Sequence, residues 1–257
     1  MSPAEPGLSP GNQGEPGAGT PPSTAATATR AEVCVVACAE AWRGDGAILA
    51  SPMGVIPVLG AGLARQTFAP DLLMTDGEAY LVDPRGDIEG WLPYAKVFTM
   101  VAAGRRHVMM GAAQIDRYGN QNISCIGDWA RPKAQLLGVR GAPGNTVNHA
   151  VSYWVPRHSR RVFVEHVDMV CGVGFDRGAV DLRVVVTNLA VLDFQTPDHA
   201  MRLRSVHPGV RVADVLEETD FELVVPDDVA VSRLPSAAEL ALIGRLDPER
   251  KRDREVP

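Results

Sequence analysis

From Thr29 to Met74 the apolar pattern switches back and forth between a helical and a strand period, and that alternation leaves the chain few possible folds. Thr29 is an N-cap residue type, and Val33, Val36, Ala37 and Glu40 follow at helical spacing up to Trp42. Gly44-Asp-Gly46 stops that helix and opens a strand at Ala47-Ile-Leu-Ala50. Ser51-Pro-Met-Gly54 reads as a turn and Val55 to Ala64 as an apolar helix of small residues. Asp71-Leu-Leu-Met74 is a short buried strand that enters the loop Thr75-Asp76-Gly77-Glu78. Helix, strand, helix, strand in series predicts an α/β fold, an open and mostly parallel sheet with helices on both faces. Active-site loops then belong at the carboxyl ends of the strands.

Further along, His107-Val-Met-Met110 and Ala134 to Val139 read as strands. Between them, Asp116-Arg-Tyr118-Gly119-Asn120 lies between apolar runs and reads as a hairpin turn, because Gly and Asn tolerate positive φ. The glycine-rich stretch Gly138 to Asn145 leads into a helix from about Thr146. Arg161-Val-Phe-Val-Glu165 and Arg183 to Asn188 are strand candidates, and Val210 to Phe221 is a helix feeding a strand at Glu222 to Val225. Ser236-Ala-Ala-Glu239 is a capping box for a last short helix. Residues 1–28 are rich in Pro and Gly without apolar period and are expected to be a disordered tail. Residues 29–246 form the folded domain, and 247–257 read as a charged, solvated tail.

A net charge of −6 argues against a nucleic-acid footprint, and no apolar run approaches the ~18 residues of a membrane helix. The N-terminus has no basic start followed by an apolar segment, so no secretory signal is read. Cys34, Cys38, Cys125 and Cys171 are expected as buried thiols, which suits a cytoplasmic location. No metal site follows from their spacing, nor from Asp45, Asp83, Asp87 and Glu89. The six histidines are scattered and read as hydrogen-bonded core residues. Glu165 and His166 would face opposite sides of a strand, and Trp91 is expected to pack in the core. There is no GxxxxGK[ST] or GxGxxG string, which argues against nucleotide hydrolysis and dinucleotide redox chemistry.

The string Gly111-Ala-Ala-Gln114-Ile-Asp116-Arg-Tyr-Gly119-Asn120-Gln-Asn122 resembles the G-x-x-Q-x-D-x-x-G-N-x-N signature of the class I coenzyme A transferase superfamily. Gly44-Asp45 with Gly54-Val-Ile-Pro57, the loop Gly138-Val-Arg140-Gly141 and the stretch His207-Pro-Gly-Val to Phe221-Glu-Leu-Val-Val are similar to further motifs of its β-type subunits. The resemblance runs from about Thr29 to Val225. It implies a coenzyme A transferase-like fold, an acyl-CoA thioester as substrate, no resident cofactor and a homologous α-type partner chain, as an α2β2 heterotetramer. It also implies Gly54, Gln114, Gly138, Gly141, Ala142 and Asn145 as substrate or CoA contacts.

Transferases of this family attack the thioester with a glutamate placed before a small residue and a glycine. Thr75 holds that place here if Gly77 is the family glycine, with Asp76 and Glu78 as displaced carboxylates. Arg140 stands where the family loop has glycine, and its guanidinium could pair with a substrate carboxylate or steady an enolate. Both departures resemble the β subunits of one actinobacterial branch, hydrolases that open the last steroid ring as a CoA thioester in cholesterol catabolism. That resemblance implies hydrolytic, retro-Claisen C–C cleavage, with catalytic positions at Thr75, Asp76, Glu78 and Arg140 and the principal base on the α partner. The alternatives are a transferase using a shifted carboxylate and a non-catalytic subunit that completes its partner's fold.

Overall fold

The computed structural model describes residues 28–76, 80–136, 138–139 and 141–256. The first half runs α1 (Arg30–Glu40), β1 (Leu49–Pro52), α2 (Val55–Thr67), β2 (Leu73–Thr75), β3 (Tyr80–Val82), β4 (Ile88–Trp91), α3 (Tyr94–Ala103) and β5 (Arg106–Gly111). Short strands β6 (Gln114–Ile115), β7 (Gln121–Asn122), β8 (Cys125–Ile126) and β9 (Ala134–Gln135) follow, then α4 (Ala142–Asn148) and β10 (Ala150–Val155). The chain continues through β11 (Asp181–Thr187), β12 (Ala190–Asp193), β13 (Arg202–Val206), α5 (Val212–Glu217) and β14 (Ala230–Val231) to α6 (Ala237–Leu246) and α7 (Arg252–Glu255).

Among the described residues the main sheet has ten strands, ordered β14-β13-β12-β11-β10-β5-β1-β2-β3-β4. The central run β11-β10-β5-β1-β2 is parallel, and antiparallel strands extend it on both sides. Central strands β1 and β10 are buried at every residue, and β5 at every residue before Gly111, as strands covered on both faces must be. On one face α1, α2 and α6 enclose Trp42, Ile56, Leu63 and Leu72 against Met109, Trp154 and Val186 of the sheet. Gly60 lets α1 and α2 meet closely, since a Cβ there would lie 2.7 Å from that of Cys38. On the other face α4, α5 and long loops cover Val108, Met110, Tyr153 and Leu192 with Ile115, Phe163 and Phe194. The mostly parallel α/β sheet expected from the sequence is therefore the fold observed. No described helix is long and apolar enough to cross a membrane.

Several local expectations give way to tertiary context. Ala150–Val155 is the strand beside β5 rather than the continuation of a helix, and the helix before it starts at Ala142 instead of Thr146. Its β-branched and aromatic residues are the signal that favours a strand. Arg161 to Glu165 is no strand: Phe163 makes one bridge to Ile115 and stacks on His158 at 3.8 Å, while Arg161 and Glu165 point outward. Glu222 to Val225 likewise makes one bridge, Val224 to Arg202, and the described residues between Ala134 and Val139 contribute the two exposed residues of β9. Trp91 is 68% exposed at the edge of the sheet and not in the core.

The C-terminal segment is not a solvated tail. Arg252 is buried and ion-paired with Glu32 at 3.0 Å and Asp247 at 3.1 Å, and Val256 joins the core. Glu255 accepts from the Ile56 amide at 2.8 Å and from the Trp154 indole at 2.9 Å. Each charge in this segment that faces inward meets an opposite charge or an orphan donor, which is why so polar a stretch can pack. Residues 1–27 of the expected N-terminal tail lie outside the described residues.

Candidate active site

The signature string builds a scaffold. Gln114 pairs with Asn122 across β6 and β7, and Ile115 with Gln121. The Gln114 amide is held at both ends: Oε1 accepts from Asn122 Nδ2 at 2.7 Å and the Asp168 amide at 2.9 Å, and Nε2 donates to Asp168 at 3.0 Å. Asp116 Oδ1 accepts the amides of Tyr118 and Asn120, both at 3.0 Å, which closes the turn, and burial raises its pKa. Gly119 sits at φ +84°, where a Cβ would strike Leu182 and Phe194. Gln114 thus stands 6% exposed as a strut that ties the hairpin to the 168 loop, beside the cleft rather than on its wall.

That cleft, about 500 Å³, opens at the carboxyl ends of the parallel strands. Its walls are Met53 after β1, Met110 to Ala113 at the end of β5, Ile123, Gln135 and Leu136, and Gly141, Ala142 and Asn145 at the start of α4. Gly141, Ala142 and Asn145 are therefore brought to the end of β5. Gly138 takes φ +91° on the approach to the loop. Asn145 is 2% exposed and accepts from Arg106 Nη1 at 3.0 Å through Oδ1. Arg106 Nε donates to Ser51 Oγ at 3.0 Å, and burial pulls the guanidinium pKa down to about 10. The sequence reading missed Arg106; its one signal is an arginine opening a strand that is apolar from Val108 to Met110.

A second cleft of about 420 Å³ lies on the other side of β1, lined by Gly54, Leu59, Asp76, Leu246, Asp247 and Lys251 among others. Gly54, at φ +111°, heads α2 over the Glu255 carboxylate, so it belongs here and not with Asn145. Thr75 closes β2 and is 3% exposed, while Asp76 lies exposed and accepts the Tyr80 amide at 3.1 Å. Glu78 and Arg140 lie outside the described residues. A third recess, about 440 Å³, is lined by Arg157, His158, Ser159, Arg160, Arg161 and Glu218 just beyond β10. Trp154 pairs with Gly111, so Arg157 lies three residues further, roughly 10 Å along that edge.

One constellation imitates a hydrolase. Asp45 Oδ2 lies 2.7 Å from His107 Nδ1, and His107 Nε2 lies 2.9 Å from Ser152 Oγ. Burial opposes the Asp45 charge, but His107 and the ion-paired Arg183 outweigh it and its pKa is lowered. His107, wholly buried under Trp42, is held neutral by that burial. The trio lies toward the amino ends of the strands, and no cleft described above reaches Ser152. It is a core network. His158 and His207 are likewise hydrogen-bonded inside, with pKa values pushed down by burial to about 3 and about 4. All four cysteines are free and buried, and burial raises the Cys34 thiol to about 12. No group of three metal-ligating side chains occurs among the described residues.

Residues 96–218 match the coenzyme A transferase family. The chain is 51% identical over 243 residues to the cholesterol ring-cleaving hydrolase IpdB subunit of Rhodococcus jostii, spanning 89% of this chain and 96% of that one. It belongs to the coenzyme A transferase family. The crystal structure of Rhodococcus jostii IpdAB matches it with a TM-score of 0.86, covering 90% of this chain and 100% of that one at 51% identity. Glutaconate coenzyme A-transferase from Acidaminococcus fermentans matches with a TM-score of 0.77 at 25% identity, covering 88% and 97%. A ring-cleaving hydrolase and a transferase thus share this coenzyme A transferase fold, so the fold alone does not separate the two activities.

Proposed function

We propose that the chain is the β-type subunit of a heteromeric hydrolase that opens a carbon ring in a cyclic β-keto coenzyme A thioester, late in steroid degradation. The observation that carries this reading is end-to-end similarity to a ring-cleaving hydrolase subunit, 51% identical over 96% of that relative. Thr75 supports it. A buried threonine ends β2 where the family's transferases would place a carboxylate nucleophile, and a hydroxyl cannot carry an acyl group as an anhydride.

The reaction needs a base that delivers water to the ring ketone and donors for the thioester oxygen as the ring bond breaks. The base is assigned to an α-type partner. Helix α3 fits such a partner: it holds one charged residue, Lys96, yet none of its described side chains is buried. With exposed Tyr80, Ile88, Trp91 and Phe98 it forms an apolar margin beside Thr75 and Asp76, the surface assigned here to the α chain. The arginine recess beyond β10 supplies positive charge for the phosphates of CoA, since neither Arg157 nor Arg161 has a carboxylate partner among the described residues. Water and the partner's base suffice for the step, so CoA enters as part of the substrate and no further cofactor is invoked. Four unpaired, buried cysteines suit a cytoplasmic enzyme.

Asp76 is the specific observation behind a transferase alternative, because its exposed carboxylate lines the second cleft. The experiment is to incubate the co-purified α–β complex with acyl-CoA, reduce with borohydride and measure the intact mass of this chain. The expected result is an unmodified chain during ring opening. An adduct on Thr75, Asp76 or Glu78 would convert the reading to a transferase.

A further inference from the structure

We infer that Asn145 is the side-chain donor that stabilises the thioester enolate, and that Arg106 positions it. This rests on the ring-opening reading above and names a group for which that reading has no residue.

Asn145 faces the cleft at the end of β5 from α4 and is almost fully buried. The orientation of its amide is settled by chemistry. Arg106 carries donors only, so the Asn145 atom 3.0 Å from Nη1 must be the oxygen. Nδ2 is thereby turned away from Arg106. Its protein contact there is Met110 Sδ at 3.9 Å, a weak acceptor at the limit of range. A buried amide with two N–H bonds and one marginal acceptor is a donor held without a full partner.

The surroundings favour an anion at that place. A Cβ on Gly141 would come within 3.4 Å of Nδ2, so the glycine keeps the approach open. Arg106 is 8% exposed and has hydrogen bonds to Ser51 and Asn145 but no carboxylate partner among the described residues. His149, the titratable group that faces it, is held neutral by burial and by Arg106 itself. The buried positive charge behind Asn145 therefore has no counter-charge among the described residues. It polarises the amide and favours negative charge on the far side of it.

The step balances as follows. Water loses a proton to the partner's base as its oxygen bonds to the ring carbonyl carbon. The tetrahedral adduct collapses to a carboxylic acid, the ring C–C bond breaks, and its electron pair moves through the α-carbon to the thioester oxygen. Asn145 Nδ2–H donates to that oxygen. The base returns its proton to the α-carbon, the acid ionises in solution, and an open-chain thioester leaves.

The discriminating variant is Asn145→Asp. It keeps an oxygen on Arg106 and gives that cation a counter-ion, so melting should hold or rise. It removes the donor and sets a carboxylate against the enolate. Acetoacetyl-CoA is the probe, because its enolate absorbs in the near ultraviolet. The wild-type α–β complex at saturation should show the enolate band, and the Asn145→Asp complex should not. Turnover of a cyclic β-keto acyl-CoA should fall on the order of 100- to 1000-fold, mostly in kcat. Arg106→Met should lose less, and Arg106→Met/Asn145→Ala no more than Asn145→Ala alone, because the two act as one unit. An enolate band that survives in Asn145→Asp, or losses that add in the double variant, would overturn the inference. A wild-type complex that opens no ring defeats the hydrolase reading instead, while the acetoacetyl-CoA comparison still decides the role of Asn145.

Discussion

Replacing Glu255 by Ala tests whether the C-terminal segment is part of the fold. Helix α2 begins at Gly54, an N-cap residue with no side chain to offer the orphan amides behind it. Glu255, 199 positions away, supplies the cap by accepting from the Ile56 amide at 2.8 Å. Its other oxygen accepts from the indole of Trp154, which is 2% exposed and has no water to turn to. Losing a cap costs ~1 kcal/mol, and stranding a buried donor ~1–3 kcal/mol, so Glu255→Ala should cost roughly 2–4 kcal/mol. In a chain of this size about 2 °C follows each kcal/mol, so the melting temperature should drop by roughly 4–8 °C. Glu255→Gln, which keeps one acceptor oxygen, should lose about half as much. The assay is thermal melting of the α–β complex with wild type, Glu255→Gln and Glu255→Ala. A melting curve for Glu255→Ala that overlays wild type would refute the docked C-terminus and the borrowed cap together.

Acid should weaken the fold through two buried histidines. His158 and His207 have folded pKa values near 3 and 4, below the ordinary 6.5, so the unfolded chain binds the extra protons and stability falls as pH drops below 6.5. At pH 5 each should cost about 2 kcal/mol (1.5 pH units at about 1.4 kcal/mol each), read as a lower urea midpoint than at pH 7.5 and flattened by His158→Gln. Equal midpoints at the two pH values would contradict this. Trp91→Glu, on the exposed margin with α3, should leave this chain folded but release the α partner in size-exclusion chromatography, whereas an intact complex would place the interface elsewhere.

What the sequence revealed depended on the range of the interaction that decides each segment. Capping at Thr29 and Ser236 is local, three residues from side chain to amide, and both helices start where the sequence places them. Ala150–Val155 carries strand-forming residues, but its place in the sheet comes from β5 and β11 on either side, where the partners of Ala150 are His107 and Asp181, far away in the chain. Arg161 to Glu165 has strand composition but meets β6 over one bridge only, with Ile115 donating to Val162 at 2.7 Å and Val164 to Ile115 at 3.0 Å, and burial of Phe163 completes the anchor. The C-terminal charges looked solvated because their partners, Glu32 and the amino end of α2, are some 200 residues upstream.

The same distinction separates residues that look catalytic from those placed to act. Asp45, His107 and Ser152 have the spacing of a hydrolytic relay, yet His107 and Ser152 are buried out of reach of the clefts described, the polar atoms are spent on one another and Arg183 balances the charge. Gln114 and Asp116, the most recognisable letters of the family signature, are spent in the same way on their hairpin. Satisfied polar groups hold a fold and have little left for a substrate. Asn145 and Arg106 differ because, among the described residues, one has only a marginal acceptor and the other no counter-ion, in the wall of a cleft and directly behind it. A substrate whose thioester oxygen becomes negative as its ring opens supplies both at once, and it does so most strongly at the moment the bond breaks.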